Sequence, residues 1–237
     1  MTVKALTFDV YGTVVDWRSA ILAEGGVLRP SLDWAQLADA WRGLYRPTLD
    51  RVTRGELAWS PFDHLQRIML DQVLERFGVA DVTDLERAQL TGVWGRMDPW
   101  PDAVPGLERL KRQFVVCALS NGSVWQLVSL AKRAGLPWDL ILSVEMLHAY
   151  KPDPRVYQGA VELLQCRPAE VMMVAAHAYD LRAARDVGLR TAFVDRPLEW
   201  GPHATAERPE PGEFDLVARD FVDLADQLRG GGSQIDS

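Results

Sequence analysis

Cysteine is nearly absent from this chain of 237 residues: only Cys117 and Cys166 occur. Two widely separated cysteines support neither a zinc site nor a disulfide framework. Cys117 sits inside the apolar run Phe-Val-Val-Cys-Ala-Leu and reads as a small buried hydrophobe. Lysine is scarce as well, with Lys4, Lys111, Lys132 and Lys151 making up the whole set. A basic surplus is missing: the net charge is −7 and the pI about 5.2. That leaves no electrostatic footprint for nucleic acid or an anionic membrane. No run of about 20 apolar residues exists, so a membrane-spanning helix is excluded. The uncharged stretch after Phe114 carries Ser120, Asn121, Gly122, Ser123 and Gln126 and is too polar for lipid. Lys4 and Asp9 interrupt the N-terminal apolar residues, which removes the pattern of a signal peptide. These absences give the expectation of a soluble, cytoplasmic protein. What is present is the composition of a folded chain, with 48% apolar and 25% charged residues. The length suits one large domain, or one domain carrying an insertion. Nine tryptophans are many, and most must sit in a core or line a pocket.

Short, nearly continuous apolar runs recur along the chain. They are Val3 to Asp9, Phe114 to Leu119, Leu140 to Val144, Val171 to Ala175 and Thr191 to Val194. Such runs suit strands buried on both faces of a parallel sheet. Helical patterns beginning near Gly106, Ser123, Pro154 and Asp180 follow them, and this alternation predicts an α/β fold with a Rossmann-like parallel sheet. Between Asp16 and Pro99 the rhythm changes. Trp34, Leu37, Trp41 and Leu44 recur at helical spacing. Ser60-Pro61 reads as a helix start that runs on to a stop at Gly78. Thr83 and Glu86 have the spacing of a capping box. The expected division is an α/β core from residues 1–16 and 99–229, a helical insertion over 17–98, and a flexible tail over 230–237. Glu199 to Gly212 reads as a surface loop rich in proline, and Phe214 to Arg229 as a final amphipathic helix.

Ligands of parallel α/β sheets bind beyond the carboxyl ends of the strands. The first run ends at Asp9, and the second at Ser120-Asn121-Gly122. Tyr150-Lys151-Pro152-Asp153-Pro154 follows the third, and His177 and Asp180 follow the fourth. Two carboxylates, an ammonium, a hydroxyl and an amide thus converge on one edge, a set suited to covalent catalysis by a carboxylate. In that scheme Asp9 attacks, Lys151 balances its charge, and Asp180 orients Lys151 or activates water. Each residue alone has a plainer reading. Asp180 could be a helix cap, Arg42 a solvated helix face, Tyr157 and His177 packing residues, and Ser120 and Asn121 turn formers.

Taken together, Asp9-Val10-Tyr11-Gly12-Thr13, Ser120-Asn121-Gly122, Lys151-Pro152-Asp153-Pro154 and Asp180 resemble the four ordered motifs of the haloacid dehalogenase superfamily. The helical insertion resembles that superfamily's cap domain. Phosphatases of the superfamily carry an acid two residues after the nucleophile, where this chain has Tyr11, whose proton is held too tightly for that work at neutral pH. They also carry a magnesium-binding acid where this chain has Ala176. The resemblance therefore narrows to the (S)-2-haloacid dehalogenases, with no bound metal or other cofactor expected. It implies Asp9 as nucleophile and Thr13 as the hydroxyl orienting it. It further implies Val10 and Tyr11 backbone N–H groups with Ser120 for the substrate carboxylate, Arg42 and Asn121 beside the halide, and Lys151 and Tyr157 in the Tyr-Lys-Pro-Asp-Pro-Arg-Val-Tyr run. Asp180 would lie near the hydrolytic water. The implied product is an (R)-2-hydroxy acid, and members of the group are often dimers through the cap. The better-known members read Ser-Ser-Asn-Ala-Trp-Asp where this chain reads Ala-Ala-His-Ala-Tyr-Asp over 175–180. His177 is accordingly expected to donate to the leaving halide, which would favour a small hard halide such as fluoride. Two alternatives stay open from sequence: a small-molecule phosphatase, and a catalytically silent member that binds a metabolite.

Overall fold

The computed structural model describes residues 2–230. Its centre is a six-stranded, all-parallel sheet in the order β3-β2-β1-β4-β5-β6. The strands are β1 (Ala5–Phe8), β2 (Val115–Ser120), β3 (Leu140–Ser143), β4 (Val171–Ala175), β5 (Arg190–Val194) and β6 (Leu216–Ala218). β1 is buried at every position, as its unbroken apolar sequence demands of a central strand. Its register sets Phe8 opposite both Ala118 and Val174. The chain winds outward from β1 through β2 to β3, then crosses back to β4 on the other side. That reversal makes the carboxyl end of β1 the topological switch point, where open α/β sheets bind ligands.

Five α-helices lie between β1 and the returning chain at Asp98: α1 (Trp17–Leu28), α2 (Trp34–Gly43), α3 (Tyr45–Thr53), α4 (Phe62–Arg76) and α5 (Asp84–Gly92). The departing and returning chains run side by side, with Asp16 N–H donating to the Asp98 carbonyl and Trp100 N–H to that of Val14. The capping box is formed: Thr83 and Glu86 exchange hydrogen bonds at the start of α5. Gly78 stands just past α4 with φ +68°, the left-handed conformation that ends helices. Trp34 and Trp41 are buried packing residues, their indole N–H groups donating to the Arg29 and Gln66 carbonyls. Trp34 lies against Gly25 of α1, where an added Cβ would come within 2.0 Å of the indole ring. Gly25→Ala must push the two helices apart. It is expected to cost roughly 1–3 kcal/mol, read as a lowered melting temperature; an unchanged melt would contradict this packing account.

The remaining helices are α6 (Ala103–Leu110), α7 (Val124–Ala134), α8 (Pro154–Leu163), α9 (Ala178–Asp186) and α10 (Phe221–Gly230). Two expectations need correction. Phe214 to Arg229 is not one helix: Leu216–Ala218 adds to the sheet beside β5, and α10 begins only at Phe221. Asp215 fixes that strand by accepting from the Thr191 N–H and hydroxyl. Ser60 does not cap α4; Pro61 holds the cap position in extended backbone and the helix starts at Phe62. The expected tail from 231 onward lies outside the described residues. No described helix is long and apolar enough to cross a membrane.

Candidate active site

Asp9 follows β1 directly, and its N–H still donates to the Val174 carbonyl of β4. The carboxylate therefore stands at the switch point on a rigid stem. It is 7% exposed and fully engaged. Oδ1 accepts from Lys151 Nζ at 2.9 Å; Oδ2 accepts from Thr13 Oγ1 at 2.8 Å and lies 3.1 Å from His177 Nδ1. Thr13 is itself oriented, since its hydroxyl oxygen accepts from Ala176 N–H at 3.0 Å. Lys151 also donates to Asp180 Oδ2 at 2.5 Å, so one buried ammonium bridges two carboxylates.

Behind this bridge each partner is held by another. The backbone N–H of Lys151 donates to Asn121 Oδ1 at 2.9 Å, and the Asn121 amide donates to the Tyr45 hydroxyl at 2.5 Å. Asn121 thus ties Lys151 to the insertion, with one N–H of its amide still without an acceptor among the described residues. Tyr157 is completely buried and gives its hydroxyl to Asp180 Oδ1, so it stands behind the carboxylate and away from any substrate. Lys151 thus sits on one oxygen of the buried Asp180 carboxyl and Tyr157 on the other. Asp180 lies where it holds Lys151, one of the two roles expected of it. The same residue does not cap α9; His177 holds that position.

His177 departs furthest from expectation. Its Nδ1 faces Asp9, and its Nε2 lies 3.0 Å from Glu199 Oε1. Both ring nitrogens face carboxylates, which leaves no N–H for a departing halide. The sequence places Glu199 in a surface loop, yet it is 5% exposed. Its Oε1 also accepts from the Trp17 indole N–H at 2.9 Å and lies 3.9 Å from Arg42 Nη2. Gly12 makes room for it: φ there is +90°, and a Cβ would fall 2.2 Å from Glu199 Oε1. The signal for Glu199 was the strand-end argument itself, since it follows β5 on the same edge of the sheet.

Arg42 comes from α2 and is 7% exposed, its guanidinium 4.3 Å from the centre of the Tyr45 ring. Its Nη1 is buried with no hydrogen-bond partner among the described residues. An unpaired cationic donor in a dry site is costly to maintain, and an anion is what would satisfy it. The N–H groups of Val10 and Tyr11 likewise find no acceptor among the described residues. Two successive free N–H groups beside a catalytic carboxylate suit a second anionic group. Ser120 is buried beside them, and its oxygen accepts from Gly122 N–H. The Tyr11 side chain turns away, its hydroxyl donating to the Trp94 carbonyl and to Gln126, 3.3 Å from each. Burial raises its pKa far above the tyrosine range, so it is no proton donor to a leaving group.

Burial alone would raise the Asp9 carboxyl pKa, but the Lys151 ammonium and the His177 ring overcome it and hold the group well below 3.8. Burial would lower His177; the charge of Glu199 and its hydrogen bonds to Asp9 and Glu199 push it up to about 10. Lys151 is kept charged by Asp180 and Asp9 against its own burial. At neutral pH the Asp9 and Glu199 carboxylates are therefore paired with the Lys151, His177 and Arg42 cations, while burial, opposed by Lys151, pushes the Asp180 carboxyl upward. This donor set does not suit a magnesium ion: an ammonium already joins the two carboxylates, and residue 176 offers only a methyl group.

Comparison with known proteins agrees with this geometry. Residues 3–188 match the model of the haloacid dehalogenase-like hydrolases. The (S)-2-haloacid dehalogenase 1 of Pseudomonas sp. (strain CBS-3) is 33% identical over 198 residues, covering 82% of this chain and 85% of that protein. A solved defluorinating L-2-haloacid dehalogenase is 40% identical with a TM-score of 0.92, over 96% of this chain and 95% of its own. The L-2-haloacid dehalogenase of Xanthobacter autotrophicus, solved with chloropropionic acid covalently bound, is 26% identical with a TM-score of 0.83, over 97% and 99% of the two chains. With the motifs in order on the sheet edge and the match spanning most of its length, the chain belongs to the haloacid dehalogenase-like hydrolase family.

Proposed function

We propose that the chain hydrolyses the carbon–halogen bond of short 2-haloacids, giving halide and the 2-hydroxy acid through an ester formed on Asp9. The observation that carries this reading is the ionised Asp9 carboxylate, held by Lys151, Thr13 and His177 beneath an anion-seeking Arg42. In this reading residues 17–98 are a cap that closes over a core of 1–16 and 99–229. Its aromatic side chains, among them Trp41, Tyr45 and Phe62, exclude water from the reacting centre.

The substrate carboxylate would sit on the Val10 and Tyr11 N–H groups with the Ser120 hydroxyl beside them. Its halogen would point at Arg42. Asp9 attacks C2 in line, the halide leaves, and the carbon inverts. A halide departs as an anion and needs no proton, so an acid at position 11 has no task in this reaction. Arg42 stabilises the charge developing on the halogen, a preorganised effect worth several kcal/mol. Water then attacks Cγ of Asp9 and releases the hydroxy acid, returning the carboxylate to its place between Lys151 and Thr13. The homodimer and cytoplasmic setting that the family resemblance implies belong to the same proposal. In its support, Val27 and Leu85 leave apolar surface exposed on the insertion helices.

Halide release from (S)-2-chloropropionate and from haloacetates, fluoroacetate included, tests the assignment. The expected result is steady release that continues undiminished in EDTA. Absence of halide release from all of them, or its loss on chelation, would reject the assignment.

A further inference from the structure

A haloacid reaches Asp9 as an anion, yet the chain carries a net charge of −7, so the protein as a whole repels it. The entrance must therefore carry positive charge of its own. We infer that Arg46 captures the substrate carboxylate at that entrance, and that its stacking on Tyr179 is the gate the substrate opens; this rests on the dehalogenase reading above. Arg46 lies one helical turn beyond Arg42. Leu44 joins α2 to α3 in helical conformation, its N–H donating to the Ala40 carbonyl and its own carbonyl accepting from the Thr48 N–H. The two arginines are thus four residues apart on continuous helical backbone and share a face. Arg42 is the inner one, 7% exposed; the Arg46 side chain is the outer one, 36% exposed.

The seam that Arg46 covers is where the site comes nearest to solvent. The side chains described above around Asp9 are buried, whereas Tyr179 of α9 is half-buried, its ring centre 5.7 Å from that of His177. Burial, then Tyr45, Asp180 and Asp9, raise the pKa of the Tyr179 hydroxyl well above the tyrosine range, which marks how close it stands to the reacting groups. Arg46 reaches across from the insertion and lays its guanidinium 4.7 Å from the centre of the Tyr179 ring. Its Nη1 donates to the Lys151 carbonyl at 3.4 Å and its Nη2 to Asp50 at 3.0 Å. A half-exposed stack and ion pair are held weakly, so an incoming carboxylate can take the guanidinium over. As Arg46 leaves the ring, the anion passes Tyr179 toward Arg42, one turn deeper. The cavity of about 140 Å³ lined by Ala176 and Glu199 is no such route. Glu207 also lines it, and its one arginine, Arg196, is paired with Asp102 through two nitrogens. Arg46 takes no part in making or breaking bonds; it is a specificity residue that favours substrates bearing a carboxylate.

The test is halide release from (S)-2-chloropropionate at low and high ionic strength, by the parent and by Arg46→Met, which keeps an aliphatic cover on Tyr179 and loses the charge. At low salt kcat/KM is expected to fall about fivefold, the effect of one charge at close range in water, through a raised KM with kcat held within about twofold. The difference should vanish near 1 M salt, where the screening length is about 3 Å. Arg46→Lys should recover most of the loss. Equal kcat/KM for parent and Met variant at low salt would overturn the inference. So would a loss that salt does not remove, which is what a merely structural role gives. Should Arg46→Met fail to fold, Asp50→Asn decides. That change frees Arg46 of its counter-ion, so kcat/KM at low salt should rise; an unchanged or lowered value would overturn the inference. Absence of halide release from the unmodified enzyme would instead strike the dehalogenase reading, and the inference with it.

Discussion

Replacing Asp9 with asparagine should lower halide release by on the order of 10⁴-fold or more, the scale seen when an enzyme loses its nucleophile. The amide has nearly the shape of the carboxylate, so Thr13 and Lys151 keep a partner on that residue and Lys151 keeps Asp180. The charge that attacks C2 is gone, and no neighbouring group can take its place. Asp180 is sealed behind Lys151 and Tyr157, and Glu199 is turned toward His177 and Trp17. The loss should appear in halide release with the far-ultraviolet dichroism unchanged. Activity within a few-fold of the parent would mean that the carbon–halogen bond breaks without a bond to Asp9.

The second large effect concerns stability as much as rate. Lys151→Met removes the one ammonium that joins Asp9 to Asp180, both buried. Breaking a buried pair leaves uncompensated charge and is expected to cost about 3–5 kcal/mol. The pH dependence should change sign with it. In the parent protein the Asp9 pKa is held below 3.8, so the group stabilises the fold above that value, and the contribution fades as pH falls through the depressed pKa. Without Lys151, Asp9 keeps His177 beside it, but Asp180 loses its only cation and is pushed further up by burial and by Asp9. Ionising Asp180 then opposes folding, so the variant should lose stability as pH rises from mildly acidic to neutral. Urea denaturation across that range reads the effect. Equal stability of variant and parent at neutral pH would show that the ammonium bridge is not what lets this site exist. Turnover should also fall, because the ammonium that holds the Asp9 carboxylate in place is gone.

Much of this arrangement was legible before any coordinates. The apolar run ending at Asp9 is what a central parallel strand must look like, and the strand-end rule carried Asp9, Ser120, Lys151 and Asp180 to one edge. The capping pair Thr83 and Glu86 was readable because caps depend on local spacing alone. What escaped was non-local. Glu199 lies in a stretch rich in proline and polar residues, and only its position past β5 sets it against His177. Sequence placed Asn121 and Tyr157 at the site without showing the hydrogen bonds to Lys151, Tyr45 and Asp180 that hold them there. Sequence order says which strand end a residue follows, and not which neighbour takes its hydrogen bond. β6 was hidden because its three residues continue into the amphipathic pattern of α10, and only the pairing of Ala192 with Leu216 separates the two.

The account stands on Asp9 forming an ester that water cleaves at Cγ. A single turnover in heavy-oxygen water, with enzyme in excess over (S)-2-chloropropionate, follows the oxygen directly. After digestion, the peptide containing Asp9 should carry one heavy oxygen, and the 2-hydroxy acid should carry none at its new hydroxyl. Heavy oxygen in the product hydroxyl, with an unlabelled Asp9, would mean that water attacks the substrate carbon itself, contradicting the covalent scheme.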